Sequence, residues 1–226
     1  MKNKFFLLTV AISFIAVICM AQDSKTETVT DVDGNVYHTV IIGTQTWLLE
    51  NLKTTKYNDG TPIPNVTDDL AWRNLTTGAY CIYKNSASNN TKYGKLYNWH
   101  AVNTGMLAPT GWRVPTSDDW TTLNNYVSTH TGISGTVGKA LATNTIWSDY
   151  SFAATIGNDR KKNNSTGFSA MPGGVRVFGG DCRFWSSTEY DTYLAGVLGI
   201  NKYTKGVNWY IDINKEEGLS VRYIKD

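Results

Sequence analysis

The chain has 226 residues, enough for one domain with a sizeable core; 41% are hydrophobic and only 18% charged. This is a globular composition, and a formal net charge of +2 excludes a strongly basic nucleic-acid binder. With 13 Tyr and 8 Trp the chain is rich in aromatic residues, so its surfaces favour contact with partners.

The opening segment, MKNKFFLLTVAISFIAVICMA, puts Lys2 and Lys4 ahead of an apolar run from Phe5 to Ile18 and ends on small Ala21. That order is the order of a secretory signal peptide over residues 1–21, cleaved before Gln22. A permanent anchor is the weaker reading, because the run falls short of the roughly 20 residues a spanning helix needs. Lipid attachment at Cys19 is a further alternative, although bulky Ile18 beside it fits a lipoprotein cleavage site poorly. The expected location is secreted, periplasmic or on the outer cell surface, with no membrane span after cleavage. Loss of Lys2 and Lys4 leaves 19 basic residues (21 less these two) against 19 acidic ones. Nucleic acid is not an expected partner: Arg160, Lys161 and Lys162 form a cluster too short to track a run of phosphates. Cys81 and Cys182 then remain as an even pair in an oxidising compartment, where a disulfide and two buried free thiols are both open. His38, His100 and His130 are scattered and there is no C-x-x-C, so no metal site is predicted.

Residues 22–30, QDSKTETVT, lack large apolar anchors and read as a flexible lead-in to a domain spanning 31–226. The next stretch alternates a turn at Asp33-Gly34, a β-rich run over Val36 to Ile42, a turn at Gly43 and an apolar run from Trp47 to Leu49, which is a hairpin pattern. YNDGTPIPN, with two prolines and no helical period, reads as an ordered loop. GAYCIYKN predicts a short strand, NSASNNTKYG a polar surface loop, and KLYNWHAVN a short helix. The chain from Gly132 to Gly167 is rich in Gly, Asn, Ser and Thr, and then come short β-type runs: FSAMPGGVRVF, RFWSSTEY, YLAGVLGI, VNWYIDI and LSVRYI. Strands following helices predict an α+β fold with antiparallel sheet.

GWRVPTSDDWTTL, from Gly111 to Leu123, is the densest motif. Pro115 biases the chain toward extended geometry before Thr116, which with Asp119 fits a capping box at the start of a helix. Asp118 and Asp119 suit the positive helix end, and Trp120, Leu123 and Val127 share one apolar face. Adjacent carboxylates on a helix point about 100° apart, so they do not form an acid and base pair. Trp112, Pro115, Thr116, Trp120, Leu123 and Trp185 are therefore expected to be structural. Arg113 is expected to pair with a buried carboxylate or to cross-link two loops, with a binding role as the minority reading.

This stretch resembles the Gly-Trp-(Arg/His)-(Leu/Val)-Pro-(Thr/Ser)-x-x-(Glu/Asp)-Trp-x-x-Leu signature of the Fibrobacter succinogenes major paralogous domain. YNDGTPIPN, GAYCIY, KYGKLYNWHAVNTGML, TGFSAMPGGVR, FWSSTEY and GLSVRYIKD are similar to further parts of that pattern, in order, across nearly all of 31–226. The resemblance implies a C-type-lectin-like fold of the formylglycine-generating-enzyme type, with short antiparallel strands, two short helices and long irregular loops. It implies no settled activity. The chain departs from the pattern at Ala108 and Tyr223, where members often carry cysteine; loss of both is natural if those cysteines form a bridge.

The expected function is a non-catalytic binding module that takes glycan or protein ligands through its irregular loops. Aromatic rings stack on apolar sugar faces, while amides, carboxylates and guanidinium groups bond hydroxyls. The candidates are Trp147, Asp149, Tyr150, Asn158, Asp159, Arg160, Asn163 and Arg176. No cofactor is predicted; calcium suits such oxygen ligands, but no fixed-spacing loop motif supports it. The alternatives are a structural or adhesion spacer and, less favoured, an enzyme. A hydrolase would use Ser186 or Ser187 with His100. Oxidase chemistry of the formylglycine-generating kind finds no matching cysteine pair.

Overall fold

The computed structural model describes residues 27–130, 136–173, 176 and 181–226. The signal segment and the lead-in as far as residue 26 lie outside the described residues, as do residues 174, 175, 177 and 178 of the FSAMPGGVRVF run, whose described part holds one isolated bridge at Ala170 in place of the expected strand. In chain order the elements are β1 (Thr28–Thr30), β2 (Val36–Ile42), β3 (Gln45–Leu48), α1 (Asp69–Arg73), β4 (Tyr80–Ile82), α2 (Ala87–Tyr93), β5 (Lys95–Tyr97) and α3 (Trp99–Asn103). They continue with β6 (Trp112–Arg113), α4 (Ser117–His130), α5 (Val137–Leu141), β7 (Asp181–Glu189), β8 (Leu194–Asn201), β9 (Asn208–Asn214) and β10 (Ile224–Lys225).

This is a mixed α+β architecture of small antiparallel sheets: five strands in the order β1-β2-β3-β10-β6, the pair β4-β5, and the meander β7-β8-β9. The expected hairpin of residues 36–49 is β2 paired with β3, turning at Gly43. Gly43 has φ +65°, and a Cβ there would sit 2.8 Å from the Tyr126 ring, so both conformation and packing require glycine. Four expectations need correction. Thr28–Thr30, read as lead-in, form an edge strand on β2, because its backbone finds partners that composition does not reveal. NSASNNTKYG contains the helix α2 rather than a loop, and LysLeuTyr of the expected helix at 95–103 is strand β5. Five α-helices occur among the described residues in place of two short ones, and α4 runs 14 residues.

LSVRYI is not one strand but a stitch across all three sheets. Leu219 bridges to Tyr97, Ser220 to Phe184, and Ile224 pairs with both Trp47 and Arg113. Midway along it Arg222 is fully buried. Its Nε donates to Asn51 Oδ1 at 3.0 Å, and the terminal nitrogens donate to the carbonyls of Leu48, Phe168 and Ser169. Its guanidinium lies 4.3 Å from the Phe168 ring centroid and 5.1 Å from that of Phe184. Burial pushes its pKa down to about 10, so it stays charged at neutral pH, held by neutral oxygens.

The helix α4 forms where the sequence places it. Thr116 Oγ1 accepts from the Asp119 amide at 3.2 Å while Asp119 Oδ2 accepts from the Thr116 amide at 2.7 Å, the reciprocal capping box. Arg113 grips the same carboxylate with two nitrogens, one at 2.9 Å, and reaches Asp226 at 3.4 Å, so of its expected roles it takes the pairing with a carboxylate. Trp120, Leu123 and Val127 are buried, and Trp120 stacks on Trp47 at 4.5 Å and on Phe184 at 5.6 Å. Pro115 is buried, Trp112 half-buried, and Trp185 is fully buried with its indole donating to Tyr97 O at 2.7 Å.

Trp120→Ala is expected to destabilise by about 3–5 kcal/mol through the cavity it leaves, whereas exposed Asp118→Asn changes only a few tenths, roughly 0.3 kcal/mol. Denaturant titration of both variants checks the order, and the reverse order would contradict the assignment of this helix. Burial pushes the Asp119 carboxyl upward, but hydrogen bonds from Arg113 and from the Thr116 hydroxyl and amide outweigh it and hold its pKa below the usual range. The stability it contributes is complete above the unfolded value near ~4 and is lost as pH falls through the lower folded value. Asp119→Asn should therefore lose about 1–2 kcal/mol at pH near ~7, with the gap closing in acid; urea titrations at the two pH extremes test this.

Candidate functional site

The irregular segment after α5 is held in place by polar side chains that point inward. Lys139, on α5, donates to the carbonyls of Thr155, Asn158 and Asp159 and to Asn163 Oδ1 at 2.8 Å. Burial pushes its pKa below that of a free lysine. Arg160 donates to Thr145 O at 3.0 Å and to Trp147 O at 2.6 Å, and pairs with Asp149 at 2.9 Å. These two cations close the loop on itself, giving it order without regular secondary structure.

On this base lies an exposed aromatic edge. Tyr150, 37% exposed, meets Tyr203 edge to face at 4.9 Å. Tyr203 belongs to the turn between β8 and β9, whose backbone pairs with the loop through Ile156 N to Thr204 O and Gly157 N to Lys202 O, both 3.1 Å. Phe152 is 63% exposed and Tyr203 57%. Lys202 Nζ stands 5.0 Å from the Tyr203 ring centroid, and Lys205 Nζ 5.9 Å from that of Phe152. Beside this edge a groove of about 400 Å³ is lined by Thr136, Lys139, Ala154, Asn158, Asp159 and Lys162.

Of the eight candidate ligand residues, five gather here: Asp149, Tyr150, Asn158, Asp159 and Arg160. Asn158 Nδ2 reaches Ser151 O at 3.4 Å, and Asp159, in the left-handed region at φ 44°, pairs with Lys162 at 2.8 Å. Three are misplaced. Trp147 is fully buried and donates to Ala170 O at 3.1 Å, so its ring is core. Asn163 is 5% exposed and spends its amide on the carbonyls of Thr143 and Ile156, both at 3.1 Å. Arg176 lies elsewhere, 2.6 Å from Asp69 and stacked over Trp72 at 4.9 Å. The residues that sequence reasoning missed are Tyr203, Phe152, Lys202 and Lys205. The signal available was NKYTKG, a polar turn between two β runs with one aromatic, but its meeting with residue 150 depends on tertiary pairing.

The disulfide does not form. Cys81 and Cys182 are free buried thiols in separate core clusters, Cys81 with Trp72 and Leu96, Cys182 with Trp120 and Phe184. Burial pushes their pKa values up to about 11 and about 12, which leaves them as small apolar core groups. The serine and histidine candidates do not assemble either. Ser186 Oγ bonds Ser117 Oγ at 3.1 Å, and Ser187 Oγ donates to the carbonyls of Val114 and Pro115 at 3.2 and 3.3 Å. His100 Nε2 has no hydrogen bond and lies 3.7 Å from Glu216. Among the described residues no group of three or more His, Cys, Asp or Glu side chains converges, and no helix is long and apolar enough to cross a membrane.

The Fibrobacter succinogenes major domain matches residues 40–225. The chain belongs to that family. Neither a curated protein nor a solved structure matches the chain. Within this Fibrobacter succinogenes major domain, the two departures from the family pattern lie side by side. The Tyr223 hydroxyl donates to Leu107 O at 2.5 Å, next to Ala108, inside one core cluster. A buried hydrogen bond thus joins the two segments at the place where a bridge would lie if the family's cysteines pair.

Asn163→Ala is expected to lose about 1–3 kcal/mol of stability, because Lys139 and two buried carbonyls lose a partner. Tyr203→Ala, at an exposed edge, should change stability by less than about 1 kcal/mol. Thermal unfolding of the two variants separates scaffold from surface.

Proposed function

We propose that this domain is a non-catalytic binding module, exported from the cytoplasm, that recognises glycan or protein ligands with the edge formed by Tyr150, Tyr203 and Phe152. The observation that carries the reading is three large aromatic side chains exposed together on two segments that hydrogen-bond to one another. Exposed aromatic rings are costly to leave in water, and a rigid ring presents an apolar face to sugar C–H groups or to a peptide side chain. Asn158 and Asp149 stand at the rim, where an amide and a carboxylate can bond hydroxyls. Recognition of this kind needs no cofactor. A loop-rich upper edge over small antiparallel sheets also suits a C-type-lectin-like scaffold, which the resemblance implies.

Binding of the secreted form of the chain to an array of glycans and extracellular proteins tests the proposal. Saturable binding should fall at least about tenfold, or about 1.4 kcal/mol, in Tyr150→Ala and Tyr203→Ala, with folding unchanged. Silence of the unaltered chain across the array would favour a structural or adhesion spacer instead. Turnover abolished by a change at His100 would reassign the domain as an enzyme.

A further inference from the structure

Two of the three rings of the proposed binding edge are accompanied by an ammonium group. Lys202 Nζ is 5.0 Å from the Tyr203 centroid and Lys205 Nζ 5.9 Å from that of Phe152. Two nearby pairs cancel, Arg160 with Asp149 and Lys162 with Asp159, while Lys139 spends its ammonium on carbonyls and on Asn163. Among the described residues Lys202 and Lys205 pair with no carboxylate, which leaves two unneutralised positive charges on the aromatic edge itself. The excess is local, for the chain as a whole carries only +2. We infer that the ligand of this edge is an acidic glycan, one whose sugar units carry a carboxylate or sulfate beside an apolar ring face.

The inference rests on the binding surface proposed above and specifies its ligand. A neutral sugar would use the rings and leave the lysines solvated. A hexuronate unit offers both features at once, C–H bonds on one ring face for Tyr203 or Phe152 and a carboxylate at its rim for the neighbouring ammonium. Nucleic acid is less well matched, because it is recognised through a long series of phosphates and two lysines neutralise few of them. Surface charge pairs of this kind are screened over about 10 Å at ~0.1 M salt, so the acidic component of binding is salt-dependent while the stacking component is not.

The test is calorimetry with the secreted form of the chain and four probes: hexagalacturonate, its methyl ester, a sulfated glycosaminoglycan hexasaccharide and a neutral cellohexaose. A twelve-residue oligothymidylate serves as a fifth. The expected result is that at least one acidic sugar binds at least about tenfold more tightly than the uncharged probes, a difference of about 1.4 kcal/mol, and that salt reduces it. The double variant Lys202→Met, Lys205→Met should remove that preference, whereas Lys92→Met, on a different part of the surface, should not. Equal binding of charged and uncharged sugars, lost in Tyr203→Ala, would overturn the acidic ligand and leave the binding surface standing. Oligothymidylate bound as tightly as the best acidic sugar would also overturn it. No binding of any sugar, together with silence on the array, would remove both readings.

Discussion

A single buried guanidinium fixes how the parts of this domain meet. Arg222 sits in the segment that touches all three sheets in turn, at Leu219, Ser220 and Ile224. Its hydrogen bonds run to Asn51 and to the carbonyls of Leu48, Phe168 and Ser169, parts of the chain far apart in sequence. A buried cation without its acceptors is strongly unfavourable, so each acceptor is constrained to its place. No carboxylate is among them. The charge is instead spread over neutral oxygens and sandwiched near the faces of Phe168 and Phe184, and the residue remains ionised despite burial.

That constraint reaches the candidate site through a short path. Phe168 and Ser169 lead to Ala170, whose carbonyl accepts from the Trp147 indole and whose backbone pairs with residues 141 and 143. Trp147 O in turn accepts from Arg160, which holds Asp149 next to Tyr150. Each polar group that looks like ligand-binding equipment in the loop sequence is thus divided between two tasks. Lys139, Arg160 and Asn163 face inward and satisfy carbonyls that regular secondary structure would otherwise satisfy. Tyr150, Lys161, Lys202, Tyr203 and Lys205 are left on the outside, where a partner can reach them.

A similar division explains the densest motif in the chain. GWRVPTSDDW has the residue types of a reactive centre, yet its hydroxyl and carboxylate close a capping box, its arginine clamps that carboxylate, and its second indole fills the core. The serines of FWSSTE are absorbed in the same way, binding Ser117 and the carbonyls just before α4. The conspicuous polar residues of this corner dock a helix onto a sheet.

The sequence by itself determined whatever depends on near neighbours: the hairpin of β2 and β3, the capped start of α4, its apolar face, the strands β7, β8 and β9, and membership of the family. Local periodicity and capping chemistry act within a few residues and leave their pattern in the chain. It misread α2, whose polar residues carry no apolar stripe, and it read Trp147, Asn163 and Arg176 as surface because a loop composition does not say which side chains turn inward. Burial of Arg222, separation of the two thiols, and the meeting of Tyr150 with Tyr203 were decided only by tertiary structure. Each joins residues more than 50 positions apart, and such contacts follow from how sheets and loops stack rather than from any spacing along the chain.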